Sequence, residues 1–119
     1  QNHEINASRR ISILFHELLE RQFPIDDTHR SVKLRTPSDF AEHLSVHVNH
    51  LNRALKGTTG KTTSKLISER ILKESKILLK QSQWNISEIG FALGFSEPTH
   101  FSNFFKKHLD LSPSQFRNV

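Results

Sequence analysis

The chain has 119 residues, which suits one compact domain or two very small ones and excludes a large multidomain enzyme. The absence of cysteine excludes disulfides, thiol nucleophiles and thiolate metal sites, and it favours a cytoplasmic location. The formal charge is +5, and the excess lies between residues 53 and 80, which hold 8 Lys and Arg against 2 Glu. Such a stretch is typical of a polyanion-binding surface and, equally, of a solvated helix face.

The chain also lacks the features of a membrane or secreted protein. No apolar run approaches the roughly 18 residues that span a bilayer, and no signal-sequence pattern opens the chain. Methionine is absent even at position 1, so we expect the chain to be a processed or excised part of a longer protein.

The first predicted element is an amphipathic helix that begins near Ser8 and ends before Pro24. Its apolar residues, at helical spacing, are Ile11, Leu14, Phe15, Leu18 and Leu19. Residues 24–35 form a polar connection. We expect this N-terminal part, residues 1–35, to pack its helix on the subdomain that follows.

Residues 36–60 predict two short helices separated by a break at residues 45–47. Thr36 is the expected N-cap of the first, with Pro37 in the first turn and Asp39 completing a capping box. Gly57 and Gly60 are expected to close the second helix. The apolar positions are Phe40, Ala41 and Leu44 in the first helix and Val48, Leu51 and Leu55 in the second.

Residues 61–83 predict one long helix capped by Thr62. About 20 residues at 1.5 Å each give a rod of about 30 Å. One side carries Leu66, Ile67, Ile71, Ser75, Leu78 and Leu79, whereas most of the lysines lie elsewhere.

Residues 84–119 predict three further short helices. Asn85 and Glu88 repeat the capping pattern, Gly94 stops the first helix, Pro98 begins the second and Ser112 caps the third. Their apolar positions are Ile89, Phe91 or Ala92, Leu93, Phe101, Phe104, Phe105 and Phe116. No segment has the pattern of a strand. The predicted fold is therefore all-α, with about seven helices.

Two parts of the chain resemble each other. Residues 39–46 (DFAEHLSV) match residues 88–95 (EIGFALGF) at an offset of 49. One extra residue then raises the offset to 50, which pairs Leu51 with Phe101, Leu55 with Phe105 and Lys56 with Lys106. Each copy has the spacing of a helix-turn-helix, whose second helix presents its polar side to the DNA major groove. The sequence thus predicts two helix-turn-helix subdomains joined by a long central helix.

The predicted rod suggests how both units engage DNA. Its length of about 30 Å is close to the roughly 34 Å between successive major grooves on one side of B-DNA. The lysine-rich side of the rod would then lie toward the phosphates between the two grooves.

The second unit, from Ile86 to Arg117, resembles the C-terminal signature of AraC/XylS-type bacterial transcription regulators. The segment from Leu51 to Thr62 and the pairs Arg70-Ile71 and Leu78-Leu79 are similar to the same family, so the resemblance covers about residues 36–117. It implies a DNA-binding domain of seven helices, with no catalysis and no cofactor. It also implies a separate effector-sensing or dimerising domain in an N-terminal part not shown here, and RNA polymerase as a further partner.

The chain departs from the family pattern at a few positions. Gly90 and Ser75 replace common alanines, Asp110-Leu111 replaces a glycine turn, and His47 takes the place of a serine cap. Asn103 stands where the second recognition helix often has arginine, so an arginine contact to guanine would be lost there.

Polar residues on the two second helices are the predicted contacts to DNA bases: Asn49, Asn52, Arg53, Thr99, His100, Ser102 and Asn103. Arg53 is the strongest candidate, because its guanidinium fits O6 and N7 of guanine, and Asn52 or Asn49 is suited to adenine. The second set has shorter side chains and predicts looser discrimination. Predicted phosphate contacts, which set affinity and salt dependence, are His50, Lys56, Lys61, Lys76 and Lys106.

Other functions have weaker support. The segment from Gly57 to Thr62 imitates a phosphate-binding loop, but Leu55 stands where that motif needs glycine and no strand precedes it. His43, His47 and His50 lack a fourth ligand for zinc, and no nucleophile lies at a diagnostic distance from a base. A basic helical adaptor for an acidic protein or membrane surface stays open as the alternative to DNA binding.

Overall fold

The structure, a computed structural model, describes residues 2–26 and 31–119; residues 27–30 of the predicted connection lie outside it. The described residues form seven helices and no strand, which confirms the all-α prediction. The helices are α1 (Asn2–Glu20), α2 (Pro37–His43), α3 (Val48–Thr59), α4 (Thr63–Gln81), α5 (Ile86–Ala92), α6 (Pro98–Leu109) and α7 (Pro113–Arg117). None of these helices is both long and apolar enough to cross a membrane.

The helices divide between two compact units. Unit 1 comprises Gln1–Gln22 and Leu34–Glu69, and unit 2 comprises Phe23–Lys33 and Arg70–Val119. The division falls inside α4, so its first turns, Thr63–Glu69, belong to unit 1 and the rest, Arg70–Gln81, to unit 2. Each unit contains one copy of the sequence repeat.

In unit 1, both α1 and α2 pack against α3. The core is built from side chains that are fully buried, with Phe15 of α1 lying 4.9 Å from Phe40 of α2 between ring centroids. Leu51 and Leu55 of α3 complete it at 0% exposure. The helical spacing of these two leucines turns the opposite side of α3 outward.

Local hydrogen bonds fix the helix starts of unit 1. The Thr36 hydroxyl accepts from the Asp39 amide and the Asp39 carboxylate accepts from the Thr36 amide, which confirms the predicted capping box. At the start of α3, Nδ1 of His47 accepts from the Asn49 amide at 3.1 Å. An imidazole therefore takes the capping role that serine has in the family. Ser45, in the turn between α2 and α3, has φ of 57°.

Unit 2 repeats this arrangement with aromatic side chains. Phe101 and Phe105 of α6 are fully buried, and Phe105 contacts Phe116 of α7 with 5.4 Å between ring centroids. Gly90 allows α5 to lie close to α6, because a Cβ there would be 3.0 Å from Cβ of Phe101. The predicted caps at Asn85 and Ser112 are both confirmed as capping boxes.

The part of α4 in unit 2 carries a buried acid that the sequence pattern did not reveal. Glu74 is 1% exposed; one carboxylate oxygen accepts from the Ile25 amide at 2.9 Å and the other from Arg70 at 3.1 Å. The Arg70 guanidinium also lies 4.0 Å from the ring centroid of Phe23. Glu74 thus ties the segment after α1 to α4.

Several details of the predicted elements were wrong. Helix α1 begins at Asn2 rather than near Ser8, and Leu14 is 44% exposed whereas Ser12 is buried. Gly57 lies inside α3, and only Gly60 caps it, with φ of 78°. Leu14 is exposed because Ser12, Phe15, Leu18 and Leu19 form the buried side of α1, and helical spacing places Leu14 outside it. Of Phe91 and Ala92, Ala92 is the buried residue.

Candidate nucleic-acid interface

The structure confirms the internal repeat element by element. Helices α2 and α5 each have 7 residues, and α3 and α6 each have 12. The left-handed backbone recurs at equivalent positions, at Ser45 and Gly94 in the turns and at Gly60 and Asp110 after the second helices. Each unit therefore contains the same helix, turn and second helix.

The predicted base-contacting residues lie away from the buried sides of α3 and α6. In α3 the exposed residues are Asn49, Asn52 and Arg53, and in α6 they are Thr99, His100 and Asn103, with Ser102 half-buried. Thr99, Ser102 and Asn103 occupy the same positions of the repeat as the three α3 residues, at an offset of 50, and the counterpart of His100 is His50. Each helix thus presents one polar side opposite its core residues.

A groove of about 420 Å³ lies beside Arg53 in unit 1, between the middle of α3 and the start of α4. It is lined by Asn52, Arg53, Lys56, Thr62, Thr63 and Ser64. Arg53 itself is exposed and forms no hydrogen bond or ion pair within the described part of the chain. Its guanidinium therefore keeps all its donors available.

Asn52 differs from Arg53 because its side chain is held in place. Its Oδ1 accepts from the hydroxyl of Thr63 at 2.7 Å, and Thr63 is 1% exposed. Thr62 in turn caps α4, with its hydroxyl accepting from the Lys65 amide at 3.1 Å. The sequence did not reveal the role of Thr63, because a contact between two helices is not visible in either helical pattern.

The corresponding side of α6 is more constrained. Nδ1 of His100 lies 3.2 Å from Oγ of Ser96, and its Nε2 lies 3.6 Å from Oε2 of Glu97. Thr99 and Asn103 are exposed on either side of it along the helix. The imidazole is thus oriented by the residues that precede and begin α6.

The predicted phosphate-contacting residues differ in what surrounds them. Lys61 lies 3.0 Å from each carboxylate oxygen of Glu69, and Nζ of Lys56 donates to the Gly60 carbonyl at 3.0 Å. Lys106 and His50 are exposed, and Lys76 is half-buried on α4. These cations are therefore not equally available to a phosphate.

The basic stretch between residues 53 and 80 is not one continuous cationic surface. Lys80 donates to the carbonyl of Val119 at 2.8 Å and lies 4.9 Å from the ring centroid of Phe116, so it holds the C-terminal segment in unit 2. Arg70 forms an ion pair with the buried Glu74. Net charge along the sequence could not distinguish these structural cations from those that face solvent.

Comparison with known proteins agrees with this architecture. The family described as "Helix-turn-helix domain" matches residues 40–118, which include the second copy of the repeat and all but the start of the first. A Formosa agariphila protein named histidine kinase P4 is 32% identical over 108 residues, which is 91% of this chain and 8% of that protein.

A second curated relative and a solved structure are also similar. The HTH-type transcriptional activator RhaS of Escherichia coli O139:H28 (strain E24377A / ETEC) is 32% identical over 77 residues, which is 65% of this chain and 28% of RhaS. The C-terminal domain of AraT, a response regulator from Geobacillus stearothermophilus, is 27% identical with a TM-score of 0.72, over 93% of this chain and 83% of that one. The chain thus spans less than a third of each of these two curated relatives.

The family match covers most of the chain, and the two units have the helix lengths and turns that a double helix-turn-helix requires. The predicted family resemblance is confirmed. The chain belongs to the AraC/XylS-type helix-turn-helix family and is a DNA-binding domain of the kind that gives transcription regulators their sequence-specific binding.

Proposed function

We propose that the chain binds one DNA duplex through α3 and α6, each placed in one of two successive major grooves. The observation that supports this most strongly is the equivalence of the two polar sides, which occupy the same repeat positions on helices of equal length. The 19 residues of α4 correspond to about 28 Å of helix, which suits the roughly 34 Å between successive major grooves.

Arg53 is the proposed main reader of sequence. It lies on the exposed side of α3, and its donors are not used within the described residues. A guanidinium in that state can donate two parallel hydrogen bonds to O6 and N7 of one guanine, which is worth about 1–3 kcal/mol of discrimination. Arg53 therefore determines one guanine in the site bound by unit 1.

Asn52 and Asn49 have different proposed roles. The bond from Thr63 to Oδ1 of Asn52 orients that amide, so that its NH₂ group faces outward as a donor. Reading adenine with both amide atoms needs an oxygen free to accept from N6. Asn49, whose side chain is exposed in the first turn of α3, is the better candidate for adenine.

Unit 2 contributes less sequence discrimination in this proposal. Thr99, Ser102 and Asn103 offer single hydrogen bonds from short side chains, and His100 is already held by Ser96 and Glu97. The proposed phosphate contacts are His50, Lys56, Lys76, Lys106 and Lys61. The last two differ most in how easily they can reach a phosphate. Lys106 is exposed at the end of α6, whereas Lys61 must exchange its ion pair with Glu69 for a phosphate.

We also propose that the domain is the output part of a longer cytoplasmic regulator and performs no catalytic step itself. The relatives that match more than 90% of the chain include a histidine kinase and a response regulator, which suggests control by a signal-receiving domain. RNA polymerase is the proposed further partner. Transcription in vitro from a template carrying the preferred site should change when the chain is added, and a template with that site scrambled should not respond.

The test of direct readout compares Arg53→Ala with Lys106→Ala on a duplex chosen by the unaltered chain and on single-base variants of it. Arg53→Ala should lose about 1–3 kcal/mol of binding and remove the preference for one guanine. Lys106→Ala should weaken binding equally on all duplexes and lower the slope of log K against log salt by about 0.9. If Arg53→Ala weakened every duplex equally, direct readout by Arg53 would be wrong; if no duplex were preferred at any salt concentration, the adaptor function would be favoured instead.

A further inference from the structure

Helix α1 has an outward side that unit 1 does not use. Its inner side buries Phe15, Leu18 and Leu19, yet Ile13 is 52% exposed and the adjacent Leu14 is 44% exposed. Two neighbouring large apolar side chains at the middle of a surface helix are available for contact with another molecule.

Charged residues flank this apolar pair in an ordered way. Arg9 and Arg10 precede Ile13, Glu17 and Glu20 follow Leu14, and all four charged residues are exposed. At 100° per residue, Arg10 and Glu17 both lie within about 60° of Ile13, so they share its side of the helix. They are about 10 Å apart along the axis, which is too far for them to pair with each other.

We propose that the outward side of α1 pairs with α1 of a second copy of this chain, in antiparallel orientation. A two-fold axis between Ile13 and Leu14 brings Arg10 of each copy opposite Glu17 of the other, with the apolar pairs meeting at the centre. A parallel arrangement would place Arg10 against Arg10 and Glu17 against Glu17. The charge pattern therefore favours a second copy of this chain as the partner and an antiparallel orientation of the two α1 helices.

The position of α1 leaves this surface accessible when DNA is bound, a point that rests on the proposed function. The inner side of α1 packs on the buried side of α3, and the proposed DNA contacts lie on the other side of α3. The contact area is small compared with the roughly 1,200 Å² of a stable interface, so pairing is weak between free chains. Two copies held on one duplex would pair more readily, and the two-fold axis predicts inverted sites.

Single-cysteine variants test the orientation without DNA, because the chain has no cysteine of its own. After mild oxidation, a mixture of Arg10→Cys and Glu17→Cys should give about tenfold more mixed disulfide than either same-residue disulfide. Lys107→Cys, exposed on α6 of unit 2, measures cross-linking by random collision. Mixed and same-residue products in equal amounts, or yields no higher than those of Lys107→Cys, would overturn the proposal.

A charge exchange in the Ile13→Cys background provides the second test. Arg10→Glu or Glu17→Arg alone should slow formation of the symmetric disulfide about tenfold, because like charges then face each other. The double variant should restore the rate to within about twofold. If the double variant did not regain the rate of disulfide formation while the circular dichroism of all variants stayed unchanged, the proposal would be wrong. The outward side of α1 would then bind a different partner or none. Since no DNA is present, these outcomes do not depend on the DNA-binding proposal.

Discussion

At four positions of the described residues, a residue with left-handed backbone ends a helix or turns the chain between helices. Gly60 and Gly94 adopt this conformation without a Cβ, whereas Ser45 and Asp110 adopt it with one. An L-residue pays about 1–2 kcal/mol in this region, although aspartate tolerates it better than most. Asp110 thus explains how the chain makes its turn before α7 without the glycine that is usual in the family.

Gly57 and Gly60 form a matched pair for testing this backbone effect. A Cβ at either position would meet no atom within 4 Å, but Gly57 is inside α3 and Gly60 has φ of 78°. Gly57→Ala should raise the free energy of unfolding by about 0.5–1 kcal/mol, because glycine is a poor helix residue. Gly60→Ala should lower it by about 1 kcal/mol. Urea denaturation of both variants checks this, and changes of the same sign would refute it.

Ionisation of Asp39 should make the free energy of unfolding depend on pH. The backbone amide of Arg35, followed by hydrogen bonds from Thr36, lowers the pKa of Asp39 in the folded chain. Because the pKa of Asp39 is lower in the folded chain, its ionised carboxylate stabilises the fold at pH values above the ordinary Asp pKa of about 3.9. This stabilisation is lost as the pH falls through the pKa that Asp39 has in the folded chain. The stability difference between the unaltered chain and Asp39→Asn should shrink as pH decreases from about 6 to 3. A difference that stayed constant over that range would contradict this assignment.

Within elements, Glu74 shows how a single buried acid can hold a segment onto a helix. Glu74→Ala should lower the free energy of unfolding by about 3 kcal/mol, since Arg70 loses its buried partner and the Ile25 amide loses its acceptor. Glu69→Ala is the control, because that glutamate lies on the same helix but is 45% exposed, and it should change stability by less than about 1 kcal/mol. Chemical denaturation that gave equal losses for the two variants would disprove the role of Glu74.

Glu69, in the first turns of α4, should lower the affinity for DNA because it pairs with Lys61. Glu69→Gln should release Lys61 and strengthen duplex binding about threefold at low salt, because an exposed ion pair is worth at most about 1 kcal/mol. Glu42→Gln on α2 removes the same charge from an exposed residue outside the proposed DNA contacts and serves as the control. Fluorescence anisotropy with a labelled duplex measures both; an equal or larger effect from Glu42→Gln would show that general charge, not Lys61, sets the affinity.

The elements themselves could be predicted closely from the sequence. Capping residues are local signals, and Thr36, Asn85 and Ser112 begin their helices as expected. The polar sides of α3 and α6 also followed from helical spacing. Three features could not be predicted: the burial of Glu74, the bond between Thr63 and Asn52, and the pairing of Lys61 with Glu69. Each depends on a neighbour 8 or more residues away, which no helical period reveals.

For the whole molecule, the duplicated unit is the feature that connects sequence, fold and function. Both copies keep their helix lengths and turns, while their cores differ, with leucines in α3 and phenylalanines in α6. The exposed residues also differ, since Arg53 has Asn103 as its counterpart. We therefore expect unit 1 to dominate sequence preference and unit 2 to add affinity with less discrimination.

Selection of duplexes from a random pool by the unaltered chain tests whether both helix-turn-helix units bind one duplex. We expect a site of two parts whose centres lie about 10–10.5 base pairs apart, with the more sharply defined part lost for Arg53→Ala. Recovery of a single short element, with no second element at fixed spacing, would contradict binding by both helix-turn-helix units.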